Sequence, residues 1–275
     1  MHHLPDASID LIVAGPPYAN RFDYEHSAKS GDRVSFSDNQ SSIQDIKMQF
    51  CANLHDWFSE CYRVLKDGRY CAVNIGTIHY KGQTLPLPFW AVDCLEKVGF
   101  TFVVDIIWKK TNGSRRHSRS FFANPIPGRF LPNIQTEYVL IFNKNSTQSF
   151  YPLGISPNAI PKIPLSEIVR REWANNVWHL PIGNPDPLHP CPFPIELPWR
   201  LIQLYSLPED TVLDPFMGIA TTARAAQMLN RYFIGYERHK AFIDRGYELL
   251  AQPPPKIRES ISILQRYSKP NTPSK

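Results

Sequence analysis

Six short apolar runs dominate this chain of 275 residues: IDLIVAG (9–15), YCAVNIG (70–76), TFVVDIIW (101–108), EYVLIFN (137–143), TVLDPF (211–216) and YFIGYE (232–237). Each is nearly continuous in its hydrophobicity, whereas a strand with one face in water would alternate. The runs therefore belong to a sheet covered on both faces. Between them lie segments with apolar residues at helical spacing: NLHDWFSECYRVLK (53–66), PFWAVDCLEKVG (88–99), ELPWRLIQLYS (196–206) and TARAAQMLN (222–230). Strands alternating with helices predict an α/β fold on a mostly parallel sheet, as one domain with an insert.

Other features narrow the class. The chain is 43% hydrophobic and 20% charged, an ordinary globular balance. No apolar stretch approaches the roughly 20 residues needed to cross a bilayer, and no signal-peptide pattern opens the chain, so a cytoplasmic protein is expected. Cys51, Cys61, Cys71, Cys94 and Cys191 form no CxxC pair and lie near no histidine at zinc-ligand spacing. They are expected to be reduced, packed thiols, with no metal bound. The net charge of +5 permits a nucleic-acid partner without requiring one. Its distribution says more: KKTNGSRRHSRSFFANPIPGRFL (109–131) carries Lys109, Lys110, Arg115, Arg116, Arg119 and Arg129 and no acid. Such a segment suits a phosphate-facing surface, the alternative being a solvated basic loop.

Proline-rich stretches at 151–165 and 184–194 exclude central strands and helix interiors. The polar stretch 19–42 reads as a long loop, and the tail from Pro253 as frayed. Trp173 and Trp178 read as core or pocket-wall residues.

Ligands of an open α/β sheet bind at the carboxyl ends of its strands, and two strand ends here are unusual. In DPFMGIATT (214–222), Gly218 and Ala220 are small enough for a ligand to approach the backbone, and Thr221 and Thr222 stand where the next helix opens. The following strand ends at Glu237, placed to accept hydrogen bonds from both ribose hydroxyls of an adenosine. An ordinary strand-to-helix turn is the plainer reading. In GPPY (15–18), Pro16 and Pro17 fix the backbone and remove two amide donors, leaving rigid carbonyl acceptors beside the flat face of Tyr18. That pairing suits a planar base with an exocyclic amine, although prolines also simply end strands.

Taken together these segments resemble the amino-group DNA methyltransferases that use S-adenosylmethionine, in order from about residue 4 to 250. LPDASIDLIVAGPPY resembles the catalytic motif with its lead-in, and WFSECYRVLKDGRYCAVNIG the helix and strand after it. TEYVLIFNK (136–144) is similar to a strand lining the target-base pocket. HPCPFPIELPWRLI (189–202) looks like the segment closing over the cofactor, and VLDPFMGIATTARAAQMLNRYFIGYE like the cofactor loop, its helix and the ribose-binding acid. The order, catalytic motif first and cofactor motif last, is that of the permuted beta group. The resemblance implies a Rossmann-like seven-stranded methyltransferase sheet with an inserted target-recognition region, acting on duplex DNA after flipping one base. It assigns catalysis to Gly15, Pro16, Pro17 and Tyr18. To the cofactor it assigns Asp214, Pro215, Phe216, Gly218, Ala220, Thr221, Thr222 and Glu237, with His189, Pro190 and Phe193.

The implied division is 1–108 for the catalytic half, 109–175 for a partly inserted recognition region, 176–252 for the cofactor half and 253–275 for a tail. Where the family places Asp, Asn or Ser, this chain has Gly15, so the second acceptor for the amine falls to another group or to water. Ile219 and Ala220 stand where the family has Ser and Gly, and a methyl at 220 is expected to crowd the cofactor or shift the backbone. HPCPFP favours cytosine N4 over adenine N6 as the target amine. An accessory DNA-binding subunit, or an enzyme acting on RNA or a protein amide, are the competing readings. Nucleoid association follows from DNA as substrate. Neither a cognate restriction endonuclease nor a homodimer is selected by the sequence.

Overall fold

The computed structural model describes residues 1–17, 42–80, 83–111, 132, 134–151, 160, 162–163, 172–183, 186, 188 and 193–257. Among these, β1 (Ile9–Ala14), β2 (Leu65–Ile75), β5 (Thr101–Lys110), β6 (Thr136–Asn143), β7 (Val177–Leu180), β8 (Thr211–Asp214) and β9 (Tyr232–Gly235) form one seven-stranded sheet. Its order is β7-β5-β6-β2-β1-β8-β9, and β6 alone runs against its neighbours. A small hairpin, β3 (Ile78–Tyr80) with β4 (Gln83–Leu85), follows β2.

Among the described residues five helices cover the sheet: α1 (Ile43–Val64), α2 (Leu87–Val98), α3 (Glu196–Tyr205), α4 (Thr221–Met228) and α5 (Lys240–Leu250). Side chains alternate across the central strands as a two-residue repeat demands. Ile12 and Ala14 of β1, with Cys71, Val73 and Ile75 of β2, face α1 and α2. Leu11 and Val13, with Ala72, face Leu197, Leu201 and Ile202 of α3 and Ala225 and Ala226 of α4. All six residues of β1 are buried, as a strand enclosed on both faces requires.

Each helix has a local cause. Ser42 and Asp45 make a reciprocal capping box that starts α1, and Ile46, Phe50, Leu54, Phe58, Cys61 and Val64 carry its buried stripe. The helix thus begins ten residues before the expected start at 53, because polar residues between Ile46 and Phe50 dilute the apolar repeat. α2 opens beside Pro88 and stops at Gly99, whose φ of 118° suits a glycine. β7, α5 and the hairpin are additions to the expected elements. β7 is only four residues long, held on the edge of β5, and Trp178 within it is buried with Trp173 beside the same core. Part of the span 109–175 also belongs to the sheet, since β6 lies inside it between β5 and β2.

The cysteine expectation needs one correction. Cys51 and Cys94 are joined by a disulfide, because α1 and α2 pack together and bring their Cα atoms within 5.5 Å. Cys61 and Cys71 are free and buried. Among the described residues no helix is long and apolar enough to cross a membrane, and no group of side chains could hold a metal ion.

At the amino edge of the sheet, Asp10 ties three strands together. Its carboxylate meets Lys66 Nζ at 2.7 Å and Arg69 Nη2 at 3.3 Å, both on β2, and accepts the Thr211 N–H of β8 at 3.0 Å. The carboxyl edge is left for chemistry.

Candidate active site

At that edge the chain leaves β1 through Gly15, Pro16 and Pro17. Pro16 is buried and the other two are half-buried. A Cβ added to Gly15 would lie 3.4 Å from Phe193 Cε1, in ordinary contact, so the Phe193 ring covers the side-chain position that the glycine leaves open. Tyr18, His189 and Pro190 lie outside the described residues.

Beside β1, β8 ends at Asp214, which is buried and accepts from Thr222 Oγ1 at 2.6 Å and Phe216 N–H at 2.9 Å. Burial is the largest influence on this carboxyl and pushes its pKa up to about 6, assisted by the charge of Glu237 and opposed by those two hydrogen bonds. Thr222 therefore spends its hydroxyl on Asp214, and α4 opens at Thr221 without a side-chain cap. The loop between them turns through two left-handed residues, Gly218 at φ 52° and Ala220 at φ 66°. Ala220 is fully buried, and a Cβ added to Gly246 of α5 would stand 3.1 Å from its methyl carbon. The Ala220 methyl packs against α5, where Gly246 leaves room for it.

Glu237 follows β9. Its two oxygens accept from Gly218 N–H at 3.1 Å and His239 N–H at 2.8 Å, which fixes the carboxylate and leaves acceptor capacity on both atoms. The loops are also joined through Met217 N–H to the Tyr236 carbonyl and Tyr236 N–H to the Asp214 carbonyl. Pro215 and Phe216 are half-buried, and Trp57 of α1 meets the Phe216 ring edge-on at 5.2 Å. This arrangement fits an adenosine-bearing cofactor: the small-residue turn allows close approach, and the fixed carboxylate stands one strand away to take ribose hydroxyls.

Lys109 is exposed on β5, while Lys110 is half-buried and paired with Glu137. Arg115, Arg116, Arg119 and Arg129 lie outside the described residues. Four participants at this edge were not among the expected site residues: Trp57, Gly246, Asn74 and Glu137. Asn74 carried a sequence signal as the polar residue inside the apolar run YCAVNIG, and Glu137 as the acid in TEYVLIFNK, the run likened to a pocket-lining strand.

The chain matches the N6/N4 methyltransferase profile, described as DNA methylase, over residues 9–248. It is 29% identical over 294 residues to the Type II methyltransferase M.MjaI of Methanocaldococcus jannaschii, covering 97% of this chain and 89% of that protein. With the Type II methyltransferase M.BglII of Bacillus subtilis it shares 28% identity over 291 residues, covering 98% and 71%. The fold is similar to that of TTHA0409 from Thermus thermophilus, described as a DNA modification methylase. That match has 25% identity and a TM-score of 0.67, over 93% of this chain and 92% of that one. The same protein has also been solved with S-adenosyl-L-methionine, at 24% identity and a TM-score of 0.66, over 91% and 88%.

Proposed function

The chain belongs to the N6/N4 DNA methylase family, and on that premise we propose that it methylates the exocyclic N4 of cytosine in duplex DNA. That it is a DNA amino-methyltransferase using S-adenosylmethionine follows from the family; the choice of base is the proposal. The observation that supports cytosine is the HPCPFP segment at 189–194, which resembles that of cytosine-N4 enzymes and whose Phe193 rests on Gly15 at the catalytic tip.

The amine of a nucleobase is a weak nucleophile, since its lone pair is delocalised into the ring. Acceptors that hold its hydrogens favour the tetrahedral geometry in which the lone pair becomes available, and they offset the positive charge that grows as the N–C bond forms. In this reading the Pro16 carbonyl is one such acceptor, Pro17 keeps it rigid, and Tyr18 stacks on the extruded base. S-adenosylmethionine supplies an already activated sulfonium methyl, so no metal is needed. Asp214, Phe216, Gly218, Ala220 and Thr222 form its cradle, and Glu237 takes the ribose. Extruding the base costs a few kcal/mol, offset by stacking and hydrogen bonds in the pocket. Lys109 and the four arginines of 112–131 meet DNA phosphates, giving an affinity that falls with salt.

The test is transfer of a labelled methyl group to mixed-sequence duplex DNA, followed by nucleoside analysis. N4-methylcytosine is expected. N6-methyladenine would overturn the choice of base, and binding of cofactor and DNA without product would make the chain an accessory subunit.

A further inference from the structure

Gly15 has no side chain with which to hold the target amine, and the structure places a polar row beside it. β1 and β2 pair Ala14 with Val73, so Gly15 and Asn74 stand side by side one residue beyond, about 5 Å apart at the usual strand spacing. They also share a face of the sheet. Phe193, which meets the Gly15 side-chain position, packs against the core cluster that contains Ala72, Val139, Ile106 and Trp108. Alternation then puts Asn74, Glu137 and Lys110 on that same face, at the carboxyl edge of β2 and beside it on β6 and β5.

The three side chains form a chain of hydrogen bonds. Lys110 Nζ donates to Glu137 Oε1, and Asn74 Nδ2 donates to Glu137 Oε2 at 3.0 Å. Asn74 is buried, at 7% exposure, and the Glu137 and Lys110 side chains are each 17% exposed. A carboxylate paired with a lysine only accepts hydrogen bonds, so it fixes the sense of the Asn74 amide: the NH2 faces β6. The carbonyl oxygen, on the other branch of the amide, is thereby turned away from the Glu137 carboxylate.

We propose that the Asn74 side-chain carbonyl is the second acceptor for the target amine, replacing the side chain that Gly15 lacks, with Glu137 as the positioning residue that orients it. The inference rests on the reading of the chain as an amino-methyltransferase and holds for either base. A neutral amide holds an N–H without taking its proton. The N–C bond forms as the methyl's bond to sulfur breaks, that bond's electrons stay on sulfur, and the extra proton on nitrogen passes to water. Lys110 holds the Glu137 carboxylate in place, and the carboxylate in turn keeps the amide from reversing.

The experiment is single-turnover methyl transfer to duplex DNA at saturating cofactor. It compares the wild-type chain, Asn74→Ala, Gly15→Ser and the double variant, with cofactor affinity and thermal unfolding measured on each. A serine fits, because a Cβ at 15 meets Phe193 only at contact distance. Asn74→Ala is expected to slow transfer about a hundredfold, the usual scale for losing one charge-stabilising contact, with cofactor affinity unchanged. Gly15→Ser should restore about tenfold or more in that background and raise the wild-type rate far less. The inference is overturned if Asn74→Ala stays within about threefold of wild type, or if Gly15→Ser acts by the same factor in both backgrounds. Should Asn74→Ala fail to fold, the same cycle with Glu137→Gln decides it. A drop of about tenfold in rate at unchanged cofactor affinity, recovered by Gly15→Ser, supports the assignment, and a drop that Gly15→Ser does not recover refutes it. Wild-type chain that transfers no methyl to any amine would instead remove the function reading, and this inference with it.

Discussion

Thr222→Val isolates one hydrogen bond at the centre of the cofactor loop. Valine keeps the shape of threonine and removes only the hydroxyl that donates to Asp214 at 2.6 Å. Neither residue has meaningful access to water, at 0% and 1% exposure. Burial raises the Asp214 pKa to about 6 from an ordinary value of 3.8. A carboxyl raised in this sense binds its proton more tightly in the folded protein than in the unfolded chain. Its contribution therefore favours folding most at low pH, and it is lost as pH rises from about 4 through about 6, a span worth about 3 kcal/mol. At pH 8 the group is an anion held by the Thr222 hydroxyl and the Phe216 N–H alone among the hydrogen bonds described for it. Removing a hydrogen bond to a buried charge costs about 1.5–3 kcal/mol, while removing one to the neutral acid costs about 1 kcal/mol. Thr222→Val should accordingly destabilise by about 1 kcal/mol at pH 5 and about 2–3 kcal/mol at pH 8. Urea unfolding followed by circular dichroism at both pH values reads the two costs directly. Equal costs at pH 5 and pH 8 would refute the reasoning, since they would mean that Asp214 does not change charge between them.

Three further outcomes follow from the same geometry. Glu237→Ala should weaken cofactor binding by about tenfold or more in calorimetry and leave DNA affinity intact, because it removes the acceptor that Gly218 and His239 fix in place. Gly246→Ala should cost about 1–2 kcal/mol by forcing a methyl against Ala220, and less in an Ala220→Gly background; an unchanged cost there would show that the two do not meet. Asp10→Ala should cost about 1.5–3 kcal/mol in urea unfolding by removing the charged acceptor of the Thr211 N–H, with Arg69 keeping its pair to Asp210; a loss below about 0.5 kcal/mol would mean that Asp10 does not hold the edge.

The sheet and four of its helices were legible because enclosed strands and amphipathic helices write their periods into the chain. What escaped notice did so for physical reasons. β7 is four residues long and is held by the edge of β5, a pairing with no local signature, so Trp178 reads as a core residue while its strand does not show. α5 buries only Phe242 and Gly246, so its apolar stripe is too thin to see. The loop after β8 has local signals, since Asp214, Gly218 and Glu237 each serve a backbone need that limits residue choice. Asn74 and Glu137 lie 63 residues apart and meet only through strand pairing. The Cys51–Cys94 bond has the same character: α1 and α2 must first pack before a separation of 43 residues becomes a contact.

The order of the strands brings the tip near residue 15 and the loop near residue 214 to the same edge of the sheet, as the proposed reaction requires. The chain leaves β1 for β2 on one side and returns to its other side only with β8, so β1 is where the strand order switches. A crevice opens at the carboxyl end of such a strand because its flanking connections diverge to opposite faces. The two neighbours of β1 then bring different goods: β8 its loop against Glu237, and β2 the amide of Asn74. In the proposed reaction the methyl donor and the target amine meet over Gly15 and Pro16, and the pairings that flank β1 set that geometry. Asp10 fixes both at the far edge by binding Lys66 and Arg69 of β2 and the Thr211 amide of β8 with a single carboxylate. A shift of one residue in either pairing would reverse the faces of β1, burying Gly15's open side against the wrong helices. The ion pairs at the amino edge thus protect the register of β1 with both neighbours, on which the proposed reaction depends, although they lie across the sheet from Gly15.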